Sequence, residues 1–436
     1  MKSHKVVLRA SALLAAFAFC CFISAKSFAA RNEAVIYSFQ GEADGGAPYA
    51  GLTVDKAGNL YGTTAGVNNQ PDNVFELSPP AKLGGIWTET ILYTFGVNGN
   101  TDGFEPIGGV IFDSAGNLYG TTKFGGTGGP NCQFGSSGCG TVFELSPPSN
   151  SGTTWTETTL YSFQNGSDGE LPQTGLILDA KGNLYGTTYL GGNKSCACGT
   201  VFELTPPAEA GGEWTESTLY RFNGYLGGQD GQGPTGLAFG PNGNLWGTAG
   251  GGGAENCGTI FRLAPTGTGK WKYSTMYSFV PQAGIGPNGL IYSQGSFFGT
   301  TETGSNNGAG GGTVFELSYK AGEWRETNLF VFKFGPEEGN PLGNLTVDAE
   351  GNLYGTTSGV DDAGKDGTVF KLAPPAVKGG AWTETNLYTF QPAPDGNQPR
   401  SGLVFGKFGA LYGTTLYGGT GNNGGTSDGT VFVVLP

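Results

Sequence analysis

The sequence predicts an all-β fold, a seven-bladed β-propeller of four-stranded antiparallel blades, on three observations. A marker motif recurs seven times, each interval holds four short apolar stretches, and the two chain ends complete one another. A period of this size with several strands per unit is the signature of radial repeats, in which neighbouring sheets cover one another's faces and few edges stay exposed.

The marker Gly-Asn-Leu-Tyr-Gly-Thr-Thr starts at Gly58, Gly116, Gly182 and Gly351, with variant copies at Gly243, Gly295 and Gly409. The intervals are 58, 66, 61, 52, 56 and 58 residues, a spread that loop length accounts for. In the second unit the apolar stretches run from Gly109 to Asp113 (strand A), Asn117 to Thr122 (B), Thr141 to Leu145 (C) and Trp155 to Phe163 (D). Asp113-Ser-Ala-Gly116 joins A to B as a tight turn, since Asp bonds nearby backbone and Gly accepts positive φ. Pro147-Pro148 ends strand C, because proline has no donor for a ladder. No stretch carries a helical apolar period.

The last copy stops at Thr430 to Leu435, a C strand with no D strand after it. Ala34-Val-Ile-Tyr-Ser-Phe39 matches the D-strand ending Leu92-Tyr-Thr-Phe95 and precedes the first strand A. Residues 30–39 are therefore expected to close the ring as the outer strand of blade 7, within a single domain spanning 30–436. Trp87, Trp155, Trp214, Trp271, Trp324 and Trp382 share one strand-D position, and Tyr61, Tyr119, Tyr185, Trp246, Phe298, Tyr354 and Tyr412 share one strand-B position. A feature that every blade carries is needed by every blade, so these aromatics read as inter-blade packing rather than a carbohydrate-stacking rim.

Residues 1–29 have the parts of a secretory signal: Lys2, Lys5 and Arg9, an apolar run from Ala10 to Ile23, and small residues up to Ala29. That run is short for a membrane span and no later one is longer, so no membrane insertion is expected. Removal of residues 1–29 takes away four cations and no acid, leaving 18 Lys plus Arg against 35 Asp plus Glu, a net charge of −17. Such an acidic chain is a poor partner for nucleic acid. Glycine supplies 82 of 436 residues without a collagen period, which fits many tight turns. The one histidine, His4, lies in the signal, so the rest of the chain has no imidazole for catalysis or metal ligation.

The pairing of GNLYGTT with Gly-Thr-Val-Phe-Glu-Leu, at Gly140–Leu145, Gly199–Leu204 and Gly312–Leu317, resembles the bacterial GloVer tandem repeat. The first unit departs, with Asp72-Asn73-Val74, and the last ends Val431-Phe-Val-Val434. The resemblance implies a propeller-like fold in an envelope or secreted protein, often with a C-terminal anchor, and implies no catalytic residue. Because no sorting segment follows the last strand, a freely secreted or periplasmic form is expected, and a monomer is expected as well.

Candidate site residues lie in the D-to-A and B-to-C loops, which emerge on one face. Asp44, Asp102, Asp168, Asp230, Glu338 and Asp395 form a broken acidic ring, read either as turn formers or as a field that attracts cations. Glu105 and Glu170 are acids added between Asp-Gly and Pro in only two units, and are candidates for a glycosidase-type carboxylate pair, read otherwise as solvated loop acids. In an oxidising compartment, Cys132–Cys139 makes a plausible hairpin staple, and Cys196 or Cys198 is placed to reach Cys257 on the next blade. No calcium loop, zinc cluster or cofactor motif appears, so no metal and no cofactor is expected. The functional expectation is a non-enzymatic module binding a polymer, surface glycan or protein partner. The alternatives are a carboxylate-based carbohydrate-active enzyme and a structural envelope protein.

Overall fold

The computed structural model describes residues 32–436 except loop segments 67–69, 83–84, 129–131, 133–137, 150–153, 210, 225–228, 268, 306–309, 334, 336–338, 360–366, 378 and 422–427. The proposed signal at 1–29 and Glu338 lie outside the described residues.

Each repeat folds as one antiparallel sheet with strand order A-B-C-D, and there are seven such sheets. In blade 2 the strands are Val110–Phe112, Leu118–Thr122, Thr141–Ser146 and Thr156–Ser162, inside or within a residue of the expected bounds. The A-to-B turn forms for the reason anticipated. Asp113 Oδ1 accepts the N–H groups of Ala115 and Asn117 at 2.8 and 2.9 Å, and Gly116 takes φ +92°. Two short 3₁₀ turns, Pro241–Gly243 and Lys407–Gly409, replace this Asp turn in blades 4 and 7.

Blade 7 is built from Val404–Phe405, Leu411–Thr415 and Thr430–Val434, with Glu33–Ser38 as its outer strand. Val35 pairs with Phe432 and Tyr37 with Val431, leaving Ile36 in a bulge. The same bulge recurs in the other blades, for example at Leu92, between Ile91 opposite Phe75 and Tyr93 opposite Val74. The N-terminal strand thus reproduces the register of a covalently continuous strand D.

The core sits between blades, and the repeat motifs are the pieces that fill it. The phenylalanine of each Gly-Thr-Val-Phe is buried beneath the glycine of Gly-Thr-Thr on strand B. A Cβ on Gly186 would lie 2.4 Å from Phe202 Cζ, so only glycine admits that ring. The phenylalanine ending strand D then packs edge-on against the strand-C phenylalanine of the next blade. The pairs Phe95–Phe143, Phe163–Phe202, Phe222–Phe261, Phe279–Phe315, Phe332–Phe370 and Phe390–Phe432 have centroids 5.0–5.2 Å apart. Phe39 completes the set against Phe75 at 5.2 Å, joining blade 7 to blade 1. Such T-shaped contacts add to the stabilisation from burial.

The two threonines divide their work. The second binds the strand-C threonine of its own blade, as in Thr122–Thr141 at 2.7 Å and Thr415–Thr430 at 2.8 Å. The first donates to a carbonyl just before strand A of the next blade, as from Thr121 to Thr174 O and from Thr356 to Ser401 O. Thr414 donates to Ala50 O at 3.0 Å, carrying the series across the chain ends. The recurring tryptophans pack against strand-B aromatics of the preceding blade, for example Trp214 on Tyr119 and Trp87 on Tyr412.

Deleting residues 30–39 is expected to lower the melting temperature sharply, since removing a wholly buried phenylalanine such as Phe39 by itself costs about 3–5 kcal/mol; an unchanged melting temperature in calorimetry would refute this closure. Gly186→Ala is expected to cost about 1–3 kcal/mol in urea unfolding by forcing Phe202 out of place, and a neutral result would count against the glycine–phenylalanine junction.

Candidate functional site

Strands that alternate in direction place the D-to-A and B-to-C loops together at one end of every blade. The acidic residues of the D-to-A loops are bound into this end beside the outermost strands. Asp44, Asp102 and Asp168 accept the hydroxyls of Tyr37, Tyr93 and Tyr161 at 3.2, 2.8 and 3.0 Å. Tyr220 and Tyr388 donate in the same way to Asp230 and Asp395. Each Asp also accepts a backbone N–H from the start of its loop, such as Gln164 N at 2.7 Å and Gln391 N at 2.9 Å. Two blades depart from the pair. In blade 5 Ala283 follows the tyrosine in place of Asp, and the Tyr277 hydroxyl goes to Glu326 Oε2 at 3.1 Å. In blade 6 Phe330 has no hydroxyl and Glu338 takes the place of Asp.

Against these pairs stand the glutamates of the WTET strands. Burial first, then the adjacent Asp44, Asp102 and Asp168 carboxylates, push Glu89, Glu157 and Glu216 up to about 7. Burial does the same to Glu326. These four glutamates therefore change protonation near neutral pH.

The residue before the loop proline adopts a left-handed conformation in blade after blade: Ala47, Glu105, Leu171, Gly233, Gly286, Asn340 and Gln398 have φ between +51° and +67°. Its N–H reaches the preceding B-to-C loop, for example from Leu171 to Cys139 O at 3.0 Å and from Ala47 to Asp428 O at 2.8 Å. This places Glu105 and Glu170 in different registers. Glu105 is the left-handed residue itself, and its carboxylate meets Lys123 Nζ at 2.8 Å. Glu170 stands one position earlier, 1 % exposed, with its backbone bridged to Leu190 and its carboxylate within 4.8 Å of both Cys132 and Cys139 sulfurs.

Cys132–Cys139 forms the expected staple. The reach from Cys196 or Cys198 to Cys257 does not occur: Cys196 bonds Cys198, two residues away, and Cys257 is buried as a free thiol. Left-handed Ala197 lets the chain fold back to bring the neighbouring sulfurs together, and the Cys257 thiol turns to Glu255 O at 3.4 Å.

Residues that break the repeat gather at the inner entrance to strand A across blades 7, 1 and 2. Tyr49 and Arg400 each follow the loop proline, and Tyr417 begins a ribbon pairing Tyr417–Gly418 with Gly396–Asn397. The Tyr49 hydroxyl titrates above its ordinary range because of burial, then Tyr417, with Arg400 opposing and Glu105 adding. Asp72, which replaces the glycine of Gly-Thr-Val, accepts Gly66 N at 2.6 Å. Burial raises its carboxyl to about 6, against the backbone N–H groups of Gly66 and Glu105, which lower it, while the Glu105 carboxylate adds to the rise. Asp72, Tyr49, Arg400 and Tyr417 were not singled out as site residues from sequence; Asp72 was visible as a departure from the motif. Elsewhere, a rim cleft of about 1050 Å³ between blades 2 and 3 is lined by Thr158, Tyr161, Glu144, Pro206 and Trp214.

A repeat of this geometry has a match among known families. The model of the Gloeobacter/Verrucomicrobia repeat matches residues 26–197, 87–228 and 194–432. The chain belongs to the Gloeobacter/Verrucomicrobia repeat family. No curated protein matches it. Among solved structures, a Lactobacillus plantarum protein shares the fold at 17 % identity and a TM-score of 0.52, over 81 % of this chain and 87 % of its own. The PQQ-bound aldose sugar dehydrogenase of Streptomyces coelicolor is 14 % identical, with a TM-score of 0.42 over 78 % of this chain and 97 % of its own. A Trichoderma reesei structure of carbohydrate-active enzyme family AA12, with calcium, is 13 % identical, with a TM-score of 0.43 over 92 % and 95 %. Among the described residues of this Gloeobacter/Verrucomicrobia repeat protein, no helix is long and apolar enough to cross a membrane.

The raised glutamates set a pH dependence. A carboxyl whose folded pKa exceeds its unfolded value favours the folded state below the unfolded pKa, and that advantage is lost as pH rises through the folded pKa. Melting temperature is therefore expected to fall between about pH 5 and pH 8, and Glu89→Gln combined with Glu157→Gln to flatten the fall. A profile that rises over this window would contradict the assignment.

Proposed function

We propose that this protein is an extracytoplasmic binding module that takes a carbohydrate polymer across the entrance formed by blades 7, 1 and 2. The observation that carries this reading is the gathering of repeat-breaking residues there: two tyrosines, Tyr49 and Tyr417, beside Arg400, Glu105 and Lys123. Aromatic rings stack on sugar faces, and charged groups fix hydroxyls by hydrogen bonds. The scaffold suits the task, since loops on a rigid ring vary without disturbing the fold. Export is supported by the charged, apolar and small-residue segments of 1–29 and by two disulfides, which persist in oxidising compartments.

A second reading, glycoside hydrolysis, draws on one specific observation: Asp72, a carboxyl that burial raises to about 6, stands near Glu105, and a carboxyl raised in this way is suited to general-acid work. Glu105 and Glu170, with their different neighbours, support it less well as a pair.

On a glycan array, with calorimetry on the best hits, Tyr49→Ala and Tyr417→Ala are expected to weaken binding about tenfold or more without changing the melting temperature. Turnover of a bound glycan that Asp72→Asn abolishes would establish the second reading instead. Absence of both binding and turnover across the array would overturn the carbohydrate assignment.

A further inference from the structure

We propose that the reduced form of the chain holds a thiophilic divalent cation of the zinc class between Cys132, Cys139 and Glu170. The site is independent of the carbohydrate reading. Its three donors come from two separate breaks in the repeat: a cysteine pair in the B-to-C loop of blade 2, and a glutamate where the chain enters blade 3. The fold brings these breaks to one point. Both sulfurs and a Glu170 oxygen lie within 4.8 Å of one another, and all three residues are buried, with exposures of 4, 0 and 1 %.

The surrounding backbone holds the donors in place. Glu170 is pinned on both sides by its bridge to Leu190, with N–O distances of 2.9 and 3.0 Å. The next residue, Leu171, donates its N–H to Cys139 O, which fixes the glutamate loop directly to one ligand residue. A tetrahedral ion with Zn–S near 2.3 Å and Zn–O near 2.0–2.2 Å sets its donors about 3–4 Å apart. Two thiolates and a carboxylate are a donor set suited to zinc, and they leave the fourth position for water.

The chemistry balances. A dithiol reductant gives two electrons and two protons to the Cys132–Cys139 bond and becomes a disulfide itself, and the S–S bond opens to two thiols. The incoming cation displaces both thiol protons, which pass to solvent, and its two charges offset those of the thiolates. The disulfide ties one loop to itself, whereas the metal ties blade 2 to blade 3. The same residues thus supply a staple in either redox state.

The test uses the full chain carrying Cys257→Ala, reduced with a dithiol, exchanged into anaerobic buffer and titrated with Co²⁺ and then Zn²⁺. A thiolate-to-cobalt charge-transfer band in the near ultraviolet, displaced by one equivalent of zinc, is expected, together with a zinc-dependent rise in melting temperature. Cys196→Ser with Cys198→Ser should leave the band in place, Cys132→Ser with Cys139→Ser should abolish it, and Glu170→Gln should weaken cobalt affinity about tenfold or more. No band, a band that survives loss of Cys132 and Cys139, or unchanged affinity in Glu170→Gln would overturn the proposal. If Glu170→Gln does not fold, Glu170→Asp serves in its place, with a shifted cobalt spectrum as the expected result and an unchanged one as the refutation.

Discussion

The structure depends on one contact made seven times: a phenylalanine at the end of strand D set edge-on against a phenylalanine on strand C of the next blade, beneath a glycine of strand B. This contact explains why the repeat is so strict. The glycine must be glycine, the two rings must match in size, and the threonines beside them must tie each blade to itself and to its neighbour. Separations confined to 5.0–5.2 Å mean that each junction sets nearly the same angle, and seven equal angles close a circle. Interiors packed this closely tolerate few exchanges, so the motif is preserved in the core while the loops drift.

A second layer of order runs around the outside. Tyrosine from one blade, aspartate from the connecting loop and glutamate from the next blade form a polar clasp, and burial brings the titration of the glutamate up towards neutral pH. The clasp ties the acidic loop residues to a structural task at the outer strands. It leaves the inner entrance to residues that owe nothing to the period, among them Tyr49, Asp72, Arg400 and Tyr417.

The division between what the sequence disclosed and what it concealed follows from this layering. The blade number, the strand bounds and the role of Ala34–Phe39 were legible because every junction imposes the same requirement, and repetition of a requirement shows as repetition of residues. The pairing of Cys132 with Cys139 was legible from proximity within one loop. The fate of Cys196 was not, because it turns on the left-handed backbone of Ala197, which spacing does not reveal. Glu105 and Glu170 both fall between Asp-Gly and Pro but one step apart, and only Glu105 takes the left-handed position before its proline, which Leu171 takes in the next loop. Tyr49, Arg400 and Tyr417 come from segments far apart in the chain, so no local pattern joins them. Asp72 was seen as an irregularity, but its closeness to Glu105 depends on two blades meeting.

The outer strand of the seventh blade is held by side chains and ladder bonds alone, with no covalent continuity to the strand it pairs with. Any copy of this protein whose first strand is undocked offers a slot with the same bonding pattern and the same glycine-roofed pocket for Phe39 that a neighbouring copy's first strand fits equally well. Exchange of that strand between molecules would make linked rings from the same interactions that make a single one. Protein concentration during refolding then selects between self-closure and swapping, because only the second scales with it.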